Sequence, residues 1–384
     1  MNKFRTMLRA ALFITLTLAL TACAAVAPAA PAPAEPQAAA EPPAEGLEDL
    51  VAAAQAEGML STIALPRDWC NYGEAIDSFS EKYGIRVNEL DPNAGSGDEL
   101  EAVRANKDNK GPQAPDVIDV GHAFGPLAQE EGLIQPYQVA TWDSIPDDVK
   151  DAEGYWYGDY YGVLAFQVNT DIVENVPQDW ADLLKPEYKG QVALAGDPRT
   201  SAQAIMSVYA AALANGGDIE NAEPGLEFFA QLNEAGNFVP VIATAGTLAK
   251  GETPIVIKWD YLALTDRDTF AGNPNTEIVI PPSGVIGGIY VQAISAYAPQ
   301  PNAAKLWMEH LYSDEGQLMW LKGYCHPIRY NDLAARGVIP EELAARLPSA
   351  ELYAKAVFPT VEQYEMVRSV IAEKWDAVVK ADVK

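Results

Sequence analysis

The sequence predicts an α/β protein of two lobes with a cleft between them, and three observations support that fold class. Two long blocks of the chain each alternate short apolar runs with segments of helical periodicity. Between the blocks, residues 154–170 carry five large aromatic side chains within positions 154–161 and then become apolar. A second connection, at 283–288, leads the chain back toward the first block. We therefore interpret residues 154–170 as a crossing between two lobes, with its aromatic end facing the cleft.

The first block alternates strands with helices in the order that builds a helix-flanked parallel sheet. An apolar run at 59–65 is stopped by Pro66, and the segment after it places Phe79 and Tyr83 on one helical face. Gly84 then suits the end of that helix. The predicted strands of this block are 59–65, 85–90 and 116–120, and a predicted helix follows each of them.

The second block resumes the alternation beyond residue 170. A long helix rich in Ala and Met follows 197–201 and ends at Gly216 and Gly217. The terminal helix is amphipathic, with an apolar face formed by Tyr364, Val367, Ile371, Trp375 and Val378. Predicted strands are 191–195, 239–243, 255–259, 277–280 and 289–297, and further predicted helices are 180–184, 225–234 and 304–312. We assign residues 47–165 and 286–330 to lobe 1, and residues 166–285 and 331–384 to lobe 2.

Residues 1–22 are predicted to be a signal peptide. Basic residues precede an apolar run, 10–20, that is too short to span a membrane, and small residues then lead to Cys23. The quartet 20–23 resembles the lipobox of bacterial lipoproteins, which implies cleavage before Cys23 and a lipid on that cysteine. A secretory signal with an incidental cysteine is the alternative. Residues 23–46 are almost wholly Ala, Pro and Glu, which predicts an extended tether between the lipid anchor at the membrane and the lobes.

The charge of the chain argues against nucleic acid as a partner. The 384 residues carry a formal net charge of −28, and loss of the three basic residues of the signal peptide takes it to −31. A surface this acidic repels the phosphate backbone. The net charge does not determine what a small cleft binds, because the field of a pocket is local.

Two cysteines remain after Cys23, namely Cys70 and Cys325. In an exported protein they are candidates for a disulfide. Two buried free thiols are the alternative reading.

Candidate ligand-binding residues are those that follow the predicted strands, because ligands of open α/β sheets bind at the carboxyl ends of the strands. The set is Trp69, Tyr72, Ser96, His122, Tyr161, Asp197, Arg199, Thr200, Ser201, Trp259, Tyr261 and Tyr290. Packing is the alternative role for each aromatic residue. Only one of the neighbours Tyr160 and Tyr161 can face the cleft in an extended chain, and we choose Tyr161.

Two turns of this set suit an oxyanion. The glycines around Ser96 allow close backbone approach, and the helix beginning there offers unpaired N–H groups. The segment 197–201 offers the same from the second lobe, with two hydroxyls and a guanidinium on Arg199 that can grip a phosphonate or carboxylate in a bidentate manner. Simple helix capping is the alternative for both turns.

Catalytic motifs are missing from the sequence. It contains no Gly-x-Ser-x-Gly, Gly-x-x-x-x-Gly-Lys, Cys-x-x-Cys or His-Glu-x-x-His motif. Its three histidines, His122, His310 and His326, are scattered. We therefore expect a binding protein without cofactor or metal. The alternatives are an exported lipoprotein enzyme acting through His122 and a cleft carboxylate, and a purely structural lipoprotein.

Several segments resemble the extracellular solute-binding proteins of bacterial ABC transporters, in the branch that includes polyamine, ferric-iron and phosphonate binders. These segments are 72–79, 115–117, 182–190, 301–306, 313–317 and 326–329. The resemblance implies a type II periplasmic-binding-protein fold with a ligand cleft between the lobes. It also implies capture of a small solute for a membrane permease. We expect an exported monomer, lipid-anchored at the cell envelope, whose lobes close around the solute by a hinge motion.

The resemblance also bears on the ligand. Polyamine binders use an aromatic box with carboxylates. The aromatics match at Trp69, Tyr72, Tyr161 and Trp259, but Thr200, Val291 and Ala293 stand where carboxylates are expected.

Ferric binders use an adjacent tyrosine pair, and here that place holds Asp260 and Tyr261. Phosphonate-type relatives carry a Gly-Ser turn and an Asp-Pro-x-x-Ser segment, which match at 95–96 and 197–201. The expected ligand is a small organic anion or zwitterion, with a polyamine or ferric ion as the alternative.

Overall fold

A computed structural model describes residues 46–348, 350–353 and 355–384 of the chain. The predicted signal peptide, the predicted lipidation site Cys23 and all of the predicted tether except Gly46 lie outside these residues. Within the described part, no helix is both long and apolar enough to span a bilayer.

Ten strands form a two-stranded and an eight-stranded sheet. They are β1 (Met59–Ile63), β2 (Arg86–Leu90), β3 (Val117–Gly121), β4 (Ile134–Gln135), β5 (Tyr157–Asn169), β6 (Val192–Leu194), β7 (Ile255–Trp259), β8 (Thr276–Val279), β9 (Gly287–Ser295) and β10 (His326–Pro327). Strands β1 and β2 pair in parallel. The larger sheet has the order β3-β9-β5-β7-β6, with β4 beside β9, and with β8 and β10 beside β5.

The aromatic stretch of the sequence becomes β5, which pairs with different neighbours along its length. From Tyr157 to Val163 it pairs with β9, and from Leu164 onward it pairs with β7. A register shift between Gly158 and Tyr160 interrupts the first part. One continuous strand therefore belongs to both halves of the larger sheet.

Fourteen α-helices of the described residues surround the sheets. They are α1 (Leu47–Glu57), α2 (Tyr72–Tyr83), α3 (Ser96–Ala105), α4 (Phe124–Glu130), α5 (Ala202–Ala214), α6 (Glu223–Glu234), α7 (Ala245–Ala249), α8 (Asp260–Phe270), α9 (Pro301–Tyr312), α10 (Asp314–Lys322), α11 (Tyr330–Ala335), α12 (Glu341–Ala344), α13 (Ala350–Tyr353) and α14 (Val361–Val378). The residues of α5 from Ala202 to Ala212 are all buried, which explains the apolar composition of this helix on every face. It packs against α6 and α14.

Two expectations about the sheets were wrong. The predicted parallel sheet is mainly antiparallel, because β9 returns from late in the chain and inserts between β3 and β5. The predicted strand 239–243 is irregular. Pro240 has no N–H to donate, and Val241 and Ile242 are exposed, so this segment makes only scattered bonds along β6.

The structure joins Cys70 to Cys325 in a disulfide with a Cα–Cα distance of 5.5 Å. The bond links the loop after β1 to the segment between α10 and β10. Backbones approach closely here, because a Cβ on Gly323 would overlap the carbonyl carbon of Cys70. Cys70 and Tyr324 have left-handed backbones, with φ values of 47° and 67°, which non-glycine residues rarely adopt. The disulfide therefore holds a tightly packed junction.

Replacing Gly225 by alanine is expected to lower the free energy of unfolding by about 1–3 kcal/mol. A Cβ at this position of α6 would overlap the carbonyl oxygen of Val208 and lie 3.0 Å from the nitrogen of Ala212, both in α5. Gly97 in α3 is the matched control, because a Cβ there would have no heavy atom within 4 Å. Gly97→Ala should leave stability unchanged or raise it by up to about 1 kcal/mol through helix propensity. Urea unfolding of both variants measures the difference; equal effects would contradict the close packing of α5 on α6.

Candidate ligand-binding site

A small cavity lies where the carboxyl ends of β3 and β7 approach the start of β9. Its wall also includes residues of the first turns of α5 and α14 and the segment leading into α14. The wall therefore draws on both predicted lobes, at the strand ends where the sequence analysis placed the cleft. Its volume of about 30 Å³ leaves room for only a water molecule or two.

Three polar side chains in the cavity wall have buried atoms without a hydrogen-bond partner among the described residues. The atoms are Nε2 of His122, the hydroxyl oxygen of Tyr364 and Nε1 of Trp259, which lies near the Tyr290 hydroxyl but outside hydrogen-bond geometry. The indole N–H is only a donor and the tyrosine hydroxyl is a donor as well as an acceptor. Burial lowers the pKa of His122, so its ring is neutral and one nitrogen donates. Unpartnered buried donors are costly, and a ligand acceptor would satisfy them.

The described wall of the cavity contains no Asp, Glu, Lys or Arg side chain. Two helices begin at it, α5 with Ala202 and α14 with Val361. Thr360 caps α14 by accepting a hydrogen bond from the N–H of Gln363, whereas no side chain caps α5. The first N–H groups of α5 thus add positive partial charge near an otherwise uncharged wall.

Of the predicted ligand-binding residues, His122, Trp259 and Tyr290 line this cavity. Sequence reasoning missed Phe358 and Tyr364, which also line it. Tyr364 had been read only as part of the apolar face of the terminal helix, and no periodic pattern marked the segment around Phe358.

Trp69, Tyr72 and Tyr261 belong to an aromatic cluster next to the cavity rather than to its wall. The ring of Trp69 lies edge-on to Tyr261 and Tyr290, with centroid distances of 5.7 and 5.5 Å. Tyr160 stacks on Tyr290 at 5.5 Å and accepts a 2.7 Å hydrogen bond from Nε1 of Trp69. The cluster therefore reaches the cavity through Tyr290.

The structure separates the neighbours Tyr160 and Tyr161, and neither of them lines the cavity. Tyr160 joins the aromatic cluster, whereas Tyr161 stacks on His326 at a centroid distance of 4.9 Å. Tyr161 also packs edge-on against Phe358, which lines the cavity, so the choice of Tyr161 stays a prediction.

Two buried carboxylates that the sequence analysis did not single out lie beneath the aromatic cluster. Oδ2 of Asp119 accepts hydrogen bonds from the hydroxyls of Tyr160 at 2.8 Å and Tyr72 at 3.0 Å. Asp159 accepts from Nε2 of Gln292 at 3.2 Å and lies 3.3 Å from the Tyr72 hydroxyl. Oδ1 of Asp119 has no partner among the described residues. Thr200, Val291 and Ala293 still stand where the family's carboxylates are expected, so Asp119 and Asp159 are carboxylates at other positions. The aspartate inside the otherwise apolar β3 was the available signal for Asp119.

Burial raises the pKa of Asp119 to about 7, although the hydrogen bonds from Tyr160 and Tyr72 act in the opposite direction. Burial and then the charge of Asp119 raise the pKa of Asp159 well above its ordinary range. No Lys or Arg forms an ion pair with either carboxylate among the described residues. The pair is thus poised to hold a proton at neutral pH.

The two oxyanion turns have other roles in the structure. The hydroxyl of Ser96 accepts a 3.1 Å hydrogen bond from the N–H of Gly121. The guanidinium of Arg199 forms ion pairs with Asp197, Asp376 and Asp382, with N–O distances of 2.8 to 3.2 Å, so its role toward a ligand stays a prediction. Asp197 is thus paired with Arg199. Thr200 is exposed, and Ser201 packs against Gly196. None of these residues lines the cavity.

The described residues contain no cluster of metal-ligating side chains that would suit the ferric-ion alternative. No group of three or more His, Cys, Asp or Glu residues in the described ranges is arranged to hold a metal ion. Asp260 is occupied by the N–H of Val163 at 3.0 Å and by the Tyr353 hydroxyl. The adjacent Tyr261 has an unpartnered hydroxyl, which is a single ligand at most.

These features define a class of protein, namely α/β binding proteins in which two lobes enclose a small ligand. Residues 113–353 match the family described as bacterial extracellular solute-binding protein, and the chain belongs to that family. Its fold is the two-lobed type II periplasmic-binding-protein fold. The protein is accordingly an exported substrate-binding protein of an ABC importer, and the family and its structural neighbours are transport proteins rather than enzymes.

Two relatives and one solved structure show what this chain is similar to. An uncharacterized protein of Haemophilus influenzae is 32% identical over 265 residues, which cover 64% of this chain and 71% of that one. The spermidine/putrescine-binding periplasmic protein of Escherichia coli is 28% identical over 233 residues, 56% of this chain and 63% of that protein. The structure of the periplasmic binding protein AfuA from Actinobacillus pleuropneumoniae, with exogenous fructose-6-phosphate bound, has a TM-score of 0.66 at 23% identity. That comparison covers 84% of this chain and 98% of AfuA.

Proposed function

We propose that this protein captures a small organic anion or zwitterion, with a carboxylate- or phosphonate-like group, and delivers it to the permease of its ABC importer. The observation that supports this ligand class is the set of unpartnered atoms on His122, Trp259 and Tyr364 around the cavity. Donors and a helix N-terminus favour an acceptor group on the ligand. A cation would find no carboxylate in the described wall.

We further propose that the solute is enclosed by hinge closure of two lobes with boundaries near 165/166 and 285/286. The change of neighbours along β5 after Val163 supports a hinge at this strand. The cavity of about 30 Å³ has room for little more than water, so we expect the solute to enter with the lobes further apart. The predicted lipid on Cys23 and the tether to residue 46 would hold a monomer at the outer face of the cytoplasmic membrane or in the periplasm.

The ligand class is tested by native mass spectrometry of the protein as purified, followed by a thermal-shift screen. The screen compares phosphonates, carboxylates, amino acids and fructose-6-phosphate with putrescine, spermidine and ferric ion. Stabilisation by anions or zwitterions alone supports the proposal, because a ligand that binds only the folded state raises its stability. Chemical turnover of a bound solute would favour the exported-enzyme alternative instead, and no shift with any solute would favour a structural lipoprotein.

Trp259→Phe and Tyr364→Phe are each expected to weaken binding of the stabilising anion by about 5- to 150-fold. Each change removes one donor while keeping a ring, and a lost hydrogen bond to a charged acceptor costs about 1–3 kcal/mol. Titration calorimetry measures the change. Tyr297→Phe is the control, because Tyr297 lies outside the cavity wall. Wild-type affinity in both cavity variants would exclude these donors from the site.

A polyamine is the second candidate ligand, supported by the buried carboxylate of Asp119 beneath the aromatic cluster. Its Oδ1 atom is unpartnered, and the faces of Trp69, Tyr160 and Tyr290 attract cations. The E. coli relative is named for spermidine and putrescine binding. Asp119→Asn should abolish amine binding and spare anion binding, so putrescine titrations of this variant separate the two candidates.

A further inference from the structure

The segment that leads into α14 covers one side of the cavity. Val357 forms an isolated parallel bridge with Ile286. The N–H of Gly287 donates to the carbonyl of Val357 at 2.9 Å, and the N–H of Val357 donates to the carbonyl of Val285 at 3.0 Å. These two bonds attach the segment to the chain that enters β9, so the covering segment and the cavity wall are held together.

Two glycines of β9 make room for two aromatic rings at this place. A Cβ on Gly287 would overlap the ring of Phe358, and a Cβ on Gly288 would overlap the indole of Trp259. Phe358 also packs edge-on against Tyr161, with a centroid distance of 5.6 Å. Although it lines the cavity, its side chain remains 38% exposed. The ring therefore stands between the cavity and solvent.

This part of the wall lies beyond the segment that matches the family. The match ends at residue 353, whereas Phe358, Thr360 and Tyr364 all line the cavity. The region that matches the family supplies the strand ends in the cavity wall, and the residues after it supply the segment that covers the cavity. A feature outside the matched region is a place where ligand selectivity can differ among related proteins.

We propose that Phe358 is a specificity-determining residue whose ring covers the cavity and limits the length of the solute that fits beneath it. This inference rests on the proposed function and adds the element that selects among ligands of the same class. The wall contains no charged side chain in the described residues, so an alkyl extension of the ligand would meet apolar surface. The Phe358 ring occupies the space through which that extension would pass.

The covering role can be tested without knowing the ligand. The chain has eight tryptophans, so the Trp259 contribution to fluorescence is isolated by a cycle of wild type, Phe358→Ala, Trp259→Phe and the double variant. Phe358→Ala should raise quenching by acrylamide, and the rise should disappear in the Trp259→Phe background. Val338→Ala, which truncates a side chain of similar exposure, 37%, away from the cavity, should change nothing. If Phe358→Ala does not raise the quenching, the inference that the Phe358 ring covers the cavity is wrong.

The selective role is tested with n-alkylphosphonates from methyl to octyl, by calorimetry on the same variants. Wild type and Val338→Ala should bind short members and lose affinity beyond a certain chain length. Phe358→Ala should instead gain about fourfold per further methylene, the effect of burying each CH₂ group. The same length limit in wild type and Phe358→Ala would overturn the selection by Phe358 while leaving the proposed ligand class intact. If no member binds either protein, both the phosphonate-like ligand class and the selection by Phe358 fall.

Discussion

Replacing Cys70 and Cys325 together by alanine is expected to lower the free energy of unfolding by about 2–5 kcal/mol. The two cysteines are 255 residues apart in sequence, so the bond restricts most of the unfolded chain. In the folded state it joins the loop that carries Trp69 to the segment before β10, both with left-handed backbone next to the cysteines. Urea unfolding of the described chain, with and without reductant, measures the loss.

The reduced wild-type protein provides the matched control for this prediction. Dithiothreitol should lower wild-type stability by a similar amount and leave the double variant unchanged. Alanine suits the test because both cysteines are fully buried and a serine hydroxyl would need a partner there. Equal unfolding midpoints for wild type and the double variant under oxidising conditions would show that the disulfide contributes nothing to stability.

Asp119→Asn is expected to remove part of the pH dependence of stability between pH 4 and pH 7. Burial raises the pKa of Asp119 from its ordinary value of 3.8 to about 7. A carboxyl with a raised folded-state pKa stabilises the fold when protonated, and this contribution is lost as the pH rises from about 4 through about 7. One pKa unit corresponds to about 1.4 kcal/mol, so the wild type should lose at least about 1 kcal/mol more than the variant across this range.

Wild type and Asp119→Asn must be compared by the slopes of their curves of unfolding free energy against pH, because the groups around Asp119 titrate together with it. Asp159 and Glu99, whose own pKa values are raised by burial, face it, and the hydroxyls of Tyr72 and Tyr160 bind it. Asp171→Asn is the control, because hydrogen bonds from Asn275 lower the pKa of this exposed carboxyl. Its contribution to the pH dependence of stability therefore lies below pH 4, outside the range that is compared. Parallel wild-type and Asp119→Asn curves of unfolding free energy against pH would contradict a raised pKa at Asp119.

Local pattern was enough to predict much of the fold. Apolar runs bounded by Pro or Gly fall close to β1, β2, β7 and β9, and helical periodicity locates α2 and α14 within a few residues. Pairing was less predictable, because the insertion of β9 between β3 and β5 joins segments more than a hundred residues apart. The fold class therefore followed from the sequence, whereas the sheet direction did not.

The candidate site was predicted only in part for the same physical reason. His122 and Trp259 follow strands and reach the cavity as strand-end residues should. Arg199 forms ion pairs with Asp376 and Asp382 at the far end of the chain, and no local pattern indicates that pairing. Phe358 had no local pattern to mark it, since its place in the wall depends on a single bridge to Ile286.

The continuity of β5 has a practical consequence for building a fluorescent sensor. Because one strand runs through both halves of the larger sheet, dyes attached along it would keep nearly constant separation during the proposed hinge bending. Dyes at exposed positions of α2, in predicted lobe 1, and of α6, in predicted lobe 2, would report the same bend as a change in energy transfer. Placing one dye on each of these helices is the arrangement that would convert solute capture into an optical signal.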